Sequence, residues 1–239
     1  MEFDICIPSK GRAGLITSHK IFTTAIIYVP ESEYEQYKIY KNKIVAVPND
    51  IKGITETRNW ILKNNKNNVF FLDDDLLYGG YVERTDYKYK VIRVTDEFVF
   101  IDEIAKLFDI CEQVNSKILG LFTVGNNLTN YAYNPFLFNG ICLGSCMGII
   151  NDGSYYFNEE FKVKEDYELT LRHLVEKGLT VRSNILFMQH EHTQLKGGCR
   201  DSNRIDKEKE AIKKLVKMYP GMIKEAKHRG TNFSIQLNI

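Results

Sequence analysis

Three consecutive carboxylates, Asp73-Asp74-Asp75, follow directly on the apolar run Val69-Phe70-Phe71-Leu72 and precede Leu76-Leu77. Adjacent acids repel one another and are costly to hold beside an apolar sheet. The simplest offsetting cation is a hard divalent ion, Mn2+ or Mg2+, bound through oxygen; an acidic turn capping the next element is the alternative. A second acidic pair, Glu165-Asp166, opens a helical pattern carried by Leu169, Leu171 and Leu174, where acids also serve the helix dipole and cap. His190 and His192 follow an apolar segment. The early loop Pro8-Ser9-Lys10-Gly11-Arg12 suits a phosphorylated ligand or an ordinary turn, and Lys196 and Arg200 flank Gly197-Gly198 as a phosphate clamp would. Arg58 stands on a helix close to the aspartates, as a ligand contact or as their ion-pair partner. Between 125 and 138, Asn126, Asn127, Asn130, Tyr131, Tyr133, Asn134 and Phe136 combine flat rings with amides. That mixture suits a sugar or an unstacked base, or a packed surface loop.

Positioning these groups requires a sheet. A continuous apolar run rich in aromatic and β-branched residues reads as a strand buried in a mostly parallel sheet, and ligands gather where the carboxyl ends of such strands open. Strands are expected at 3–8, 24–29, 43–47, 69–72, 91–94, 118–124, 141–150 and 180–187. Helices are expected at 31–40, from residue 54, at 102–116, from Glu165 and at 206–218. Ile104, Leu107, Phe108 and Cys111 share one helical face. Gly144, Ser145 and Gly148 make the 141–150 strand slim enough for a ligand to approach its backbone.

The chain of 239 residues is 44% hydrophobic, enough for a substantial core in one larger domain with an appendage. Net charge is +1, but between Lys196 and Arg229 there are 11 Lys and Arg against 5 Asp and Glu, leaving 21 against 26 before it. A basic tail suits a polyanion such as nucleic acid, or is the solvated face of a helix. The five cysteines include no CxxC pair and the start shows no signal-peptide pattern, so a reducing cytoplasm is expected. Cys142 and Cys146 read as small core residues rather than zinc ligands. No run of 18 apolar residues is present, so no bilayer span is expected.

The order of these features resembles the GT-A class of nucleotide-sugar glycosyltransferases. Asp73-Asp74-Asp75 matches its DxD motif, Lys164-Glu165-Asp166 its xED element, and His190 the C-terminal histidine of the metal site. The stretches IPSKGRAGLIT (7–17), VPESEYEQY (29–37), TRNWIL (57–62) and FLDDDL (71–76) look like the TET-associated glycosyltransferases of bacteriophages. The resemblance implies a GT-A-like, Rossmann-like α/β domain over 1–200, its mostly parallel sheet flanked by helices, and a basic helical extension over 201–239 packing on it. It further implies Mn2+ or Mg2+ held by Asp73, Asp75 and His190. A nucleotide sugar, UDP-linked by preference, would be bound by Pro8, Ser9, Lys10, Arg12, Arg58, Asp73, Asp74, Lys196 and Arg200, with Asp74 on ribose or sugar hydroxyls. Asp166, with Glu165 competing, would be the general base of an inverting transfer. The acceptor would be a hydroxymethylpyrimidine in DNA, flipped or single-stranded and stacked on Tyr131, Tyr133 and Phe136, in the cytoplasm of a phage-infected cell. A glycan, lipid or protein acceptor, and nucleotidyl transfer, are the alternatives.

Overall fold

The computed structural model describes residues 1–84, 89–123, 134–191, 204–226 and 235–238, and the structural statements below concern these. Strands β1 (Phe3–Pro8), β2 (Ile26–Pro30), β3 (Ile44–Val47) and β4 (Asn68–Leu72) form a parallel group in the order β3-β2-β1-β4. Helix α1 (Tyr34–Tyr37) joins β2 to β3, and α2 (Ile54–Asn64) joins β3 to β4. A hairpin of β5 (Leu76–Arg84) and β6 (Tyr89–Val94) follows, then α3 (Glu97–Gln113), β7 (Ile118–Thr123), the short β8 (Phe136–Leu137) and β9 (Cys146–Ile149). Helix α4 (Glu165–Lys177) leads to β10 (Val181–His190), and α5 (Arg204–Met218) to a small hairpin of β11 (Ile223–Glu225) and β12 (Ile235–Leu237).

The full order is β3-β2-β1-β4-β9-β7-β10-β5-β6, with β8 on β10. Beyond the parallel group the sheet is mixed: β9 runs antiparallel between β4 and β7, whereas β10 is parallel to β7. The carboxyl ends of β1, β4, β7 and β10 and the amino end of β9 therefore lie along one rim.

Helices cover both faces, which explains why β4 is apolar throughout. Phe70 and Leu72 point to one side, where α3 contributes Phe100, Ile104, Leu107, Phe108 and Cys111. Val69 and Phe71 point to the other, against Ile61 and Leu62 of α2 and Leu169 of α4. The basic character of α5 is on its outer face, while Ala211, Ile212 and Leu215 form a third cluster with Leu171 of α4, Phe161, Ile223 and Ile235. Among the described residues, no helix is long and apolar enough to cross a membrane.

Several element boundaries differ from the sequence expectation. Helix α3 begins earlier than residue 102, because the Asp96 side chain accepts the Phe98 N–H at 2.9 Å and caps it. The 31–40 helix is reduced to a 3-10 turn, Glu31–Glu33, followed by the four residues of α1. The 141–150 strand is paired only from Cys146, since the Gly144 N–H and C=O go to side chains instead of a ladder. Strand β5 had no counterpart in the sequence reading. Gly79 lies where a Cβ would meet Phe100, so bulk is excluded there and the strand pattern is masked.

His173 ties α4 to the start of β7. Its Nε2 accepts the Lys117 N–H at 2.9 Å, its ring packs on Tyr155 at 5.0 Å, and burial lowers its pKa to about 4. The folded state thus keeps the ring neutral over a range in which the unfolded chain, with a value near 6.5, is protonated. Stability should accordingly be full above that value and fall by roughly 3 kcal/mol as pH drops through the interval to about 4. Thermal melting followed over this range should show the loss, and His173→Gln, which has no proton to take up, should flatten that part of the profile.

Candidate active site

The turn after β4 is braced against the loop after β1. Asp74 is 5% exposed; its Oδ2 accepts from Ser9 Oγ at 2.5 Å, and its Oδ1 pairs with Arg12. Its carbonyl accepts the Thr17 and Ser18 N–H groups at 3.0 and 3.4 Å, while Ser18 Oγ donates to the Asp73 carbonyl at 2.6 Å. Burial pushes the Asp74 pKa up, opposed by Ser9 and Arg12. With both oxygens engaged inside the protein, Asp74 is a structural clamp rather than the expected contact to ribose or sugar hydroxyls. Pro8 and Ser9 are buried with it, and Lys10 of this loop is exposed. The loop's shape comes from residues the sequence reading passed over. Tyr37 OH accepts the Arg12 N–H at 2.9 Å and lies 3.1 Å from Ser9 Oγ, and Tyr40 OH accepts the Ile16 N–H at 3.1 Å. Their signal was the pair of tyrosines in the 29–37 stretch and just beyond it.

Asp75 faces the end of β10. Its Oδ1 lies 3.2 Å from His190 Nδ1, its Oδ2 lies 3.7 Å from Arg12, and its carbonyl accepts the Glu191 N–H at 3.0 Å. On the other side of the ring, His190 Nε2 lies 3.1 Å from Cys146 Sγ. Burial by itself disfavours a charged ring, but Cys146 and the Asp75 carboxylate outweigh it and raise the His190 pKa to about 10. The donor set suits a hard divalent ion: neighbouring octahedral ligands at about 2.1 Å from a common centre stand about 3 Å apart, as Asp75 Oδ1 and His190 Nδ1 do. Such an ion would replace the proton that Nδ1 holds against Asp75. Among the described residues, however, no three His, Cys, Asp or Glu side chains converge on one point. The expected three-ligand set of Asp73, Asp75 and His190 is not assembled, because Asp73 is turned toward Arg58. Mg2+ commonly takes only one or two protein carboxylates and completes its shell with water and substrate phosphates, and Asp75 is the carboxylate here that faces His190.

Arg58 is 3% exposed and holds the other half of the site. Its Nη1 donates to Glu165 Oε1 at 2.5 Å, and its Nη2 donates to the Gly144 carbonyl at 2.8 Å and to Asp73 Oδ1 at 3.3 Å. Phe71 and Phe157 each lie 5.6 Å from the guanidinium carbon. Arg58 joins α2, the aspartate turn and the start of α4 as an ion-pair partner of Asp73 and Glu165, with both terminal nitrogens donating inside the protein. Gly144 is slim for the same reason: a Cβ there would overlap the Arg58 guanidinium, so the space serves the arginine rather than a ligand.

The two acids of the α4 turn have separate environments. Glu165 is buried, and desolvation pushes its pKa up to about 7 against the pull of Arg58. Asp166 is half-buried; its Oδ2 accepts the Gly144 N–H at 2.8 Å and its Oδ1 the Tyr167 N–H at 2.9 Å. Lys164, just before them, adopts a left-handed conformation with φ 60°, uncommon for a residue with a Cβ, which turns the chain into the helix at this point.

Four expected contacts, Lys196, Arg200, Tyr131 and Tyr133, lie outside the described residues. Phe136 pairs in β8 opposite Ser183, and its half-buried ring packs against the main core.

Comparison with known proteins adds the family. A family model described as TET-Associated Glycosyltransferase matches residues 3–198. No curated protein matches the chain. Among solved structures, one titled as a mycobacterial protein is similar with a TM-score of 0.49 at 11% identity, over 98% of this chain and 83% of that one. A CMP:2-keto-3-deoxy-manno-octonic acid synthetase complexed with CTP gives a TM-score of 0.43 at 10% identity, over 90% of this chain and 100% of that one. With the match running through β1, the aspartate turn, the α4 acids and His190, the chain belongs to the TET-associated glycosyltransferase family.

Proposed function

We propose that this glycosyltransferase moves a sugar from a nucleotide-sugar donor, UDP-linked by preference, to the hydroxyl of a hydroxymethylpyrimidine in DNA, during phage infection. The observation that carries this reading is the meeting, on one rim, of the Asp75–His190 pair, the arginine-braced Asp73 and the half-exposed Asp166. Asp75 and His190 would hold a divalent ion, which when bound supplies positive charge against the developing nucleoside diphosphate.

The remaining chemistry is assigned to the chain's own groups. Asp166 serves as the general base. Two backbone N–H groups fix its carboxylate, and it is half-buried rather than sealed. Glu165 is less suited, since it is buried, its Oε1 is taken by Arg58, and desolvation raises its pKa. The acceptor oxygen attacks the anomeric carbon as its proton passes to Asp166, the bond to the diphosphate oxygen breaks on the opposite side, and configuration inverts. Lys10, exposed in the loop after β1, would meet donor phosphate. Lys207, Lys213 and Lys217 are exposed on α5, whose opposite face is buried, and would meet DNA phosphates.

The direct test is to offer a panel of nucleotide sugars with DNA containing hydroxymethylcytosine, with unmodified DNA and with free glycans, and to weigh the products. A hexose or pentose mass added only to the hydroxymethylated DNA is expected. Transfer to glycans alone would reassign the acceptor, and release of diphosphate in place of nucleoside diphosphate would indicate nucleotidyl transfer. Asp166→Asn should lower kcat by about 10²- to 10⁴-fold with little change in melting temperature; Glu165→Gln should leave more of the rate. Chelator should abolish transfer and added Mn2+ restore it, whereas Asp75→Asn should remain inactive at any Mn2+ concentration tried.

A further inference from the structure

The proposed base, the aspartate turn and the early loop account for most of the rim, but not for Cys146. Sequence spacing marks this thiol as a small core residue, and it is indeed fully buried. Yet its sulfur does more than fill space, since it stands 3.1 Å from Nε2 of a histidine whose other nitrogen faces Asp75. The position of the sulfur is set by the sheet: Cys146 is the first residue of β9, directly opposite Leu72 at the end of β4. It packs in the same cluster as Leu72, Leu76 and Met188, all buried. His190 is likewise fixed, at the end of β10 opposite Leu76. The ring is therefore held between two strands, with Asp75 at Nδ1 and Cys146 at Nε2.

We propose that Cys146 is a positioning residue for the divalent ion, acting through His190; the inference rests on the metal reading given above. With the thiol sulfur as acceptor, Nε2 carries the hydrogen and Nδ1 is left to present its lone pair on the Asp75 side. Without that acceptor, Nε2 is a buried polar atom deprived of its partner at Cys146, and neither ring orientation nor tautomer is set from that side. Partners of this kind, behind a metal-bound imidazole, typically change affinity by about 10- to 100-fold. Sulfur suits the position because a thiol is small enough for a packed β4–β9 junction and still accepts a hydrogen bond.

The test measures binding rather than transfer. Mn2+ affinity in the presence of UDP is read from the loss of the free-ion electron paramagnetic resonance signal, for the unchanged protein, Cys146→Ser, Cys146→Val and Asp75→Asn. Cys146→Val, which keeps volume but removes the acceptor, should bind Mn2+ about 10- to 100-fold more weakly; Cys146→Ser, which keeps an acceptor, should stay within about threefold of the unchanged protein (a margin set well inside that range). If Asp75→Asn loses Mn2+ while Cys146→Val binds as the unchanged protein does, the role of Cys146 is refuted and the metal reading stands. If the unchanged protein takes up no Mn2+, the metal reading falls and this inference with it. Should Cys146→Val fail to fold, nitrogen-15 spectra of histidine in the unchanged protein with Mg2+ and UDP decide the matter: hydrogen on Nε2 of His190 is expected, and hydrogen on Nδ1 alone overturns the proposal.

Discussion

The site depends on one buried guanidinium. Arg58 reaches Glu165, the Gly144 carbonyl and Asp73 from a position closed to solvent, joining three stretches far apart in sequence. A buried ion pair is weak evidence for stability, because desolvating both partners offsets much of the attraction. Its effect is on geometry: with the guanidinium in place, the Asp73 carboxylate, the first turn of α4 and the peptide at Gly144 hold fixed relative positions. The Gly144 peptide carries the order one step further, since its C=O accepts from Arg58 while its N–H donates to Asp166. Arg12 does the corresponding work on the other side, where it spans Asp74 and Asp75. Two internal arginines and the His190 ring thus stand against Asp73, Asp74, Asp75 and Glu165, so most of the charge on the acidic rim is answered within the protein.

The mixed sheet is what makes this arrangement available. In an all-parallel sheet the rim would receive only carboxyl ends, each followed by a loop. Here β9 enters between β4 and β7 in the reverse sense, so its first residues, not its last, meet the aspartate turn. The Ser145 carbonyl accepts the Asp73 N–H at 3.2 Å, and the Cys146 sulfur meets Nε2 of His190. Strand β10, parallel to β7, then delivers His190 to the same edge.

Part of this was legible in the sequence, and for reasons that can be named. The run from Val69 to Leu72 reads as a strand covered on both faces because alternate side chains enter two different cores, and the acids after it must then lie at a strand end. The α4 start was legible through its acids and leucines. Arg58 was legible only as an open choice between a ligand contact and an ion-pair partner of the aspartates, and its burial against Asp73 and Glu165 selects the second; burial is a tertiary property that the sequence does not state. Gly144 was misread for a related reason. A slim backbone signals close approach, but the sequence does not say whether a ligand or another side chain approaches. Strand β5 was hidden behind Gly79-Gly80, which look like a turn yet mark tight packing against Phe100 and β6.

The adjacent carboxylates Glu165 and Asp166 show how little chain distance matters to chemistry. One peptide unit separates them, but the helix turns one inward, where lost hydration favours its protonated form even beside Arg58, and leaves the other at the surface of the rim between two backbone N–H groups. The left-handed Lys164 stands immediately before this division, as the residue from which the helix begins. A pair of like groups sent into unlike surroundings can take unlike roles. On that reasoning the inner acid belongs to the framework that Arg58 assembles, while the outer acid keeps the partial exposure that the proposed transfer requires of its base.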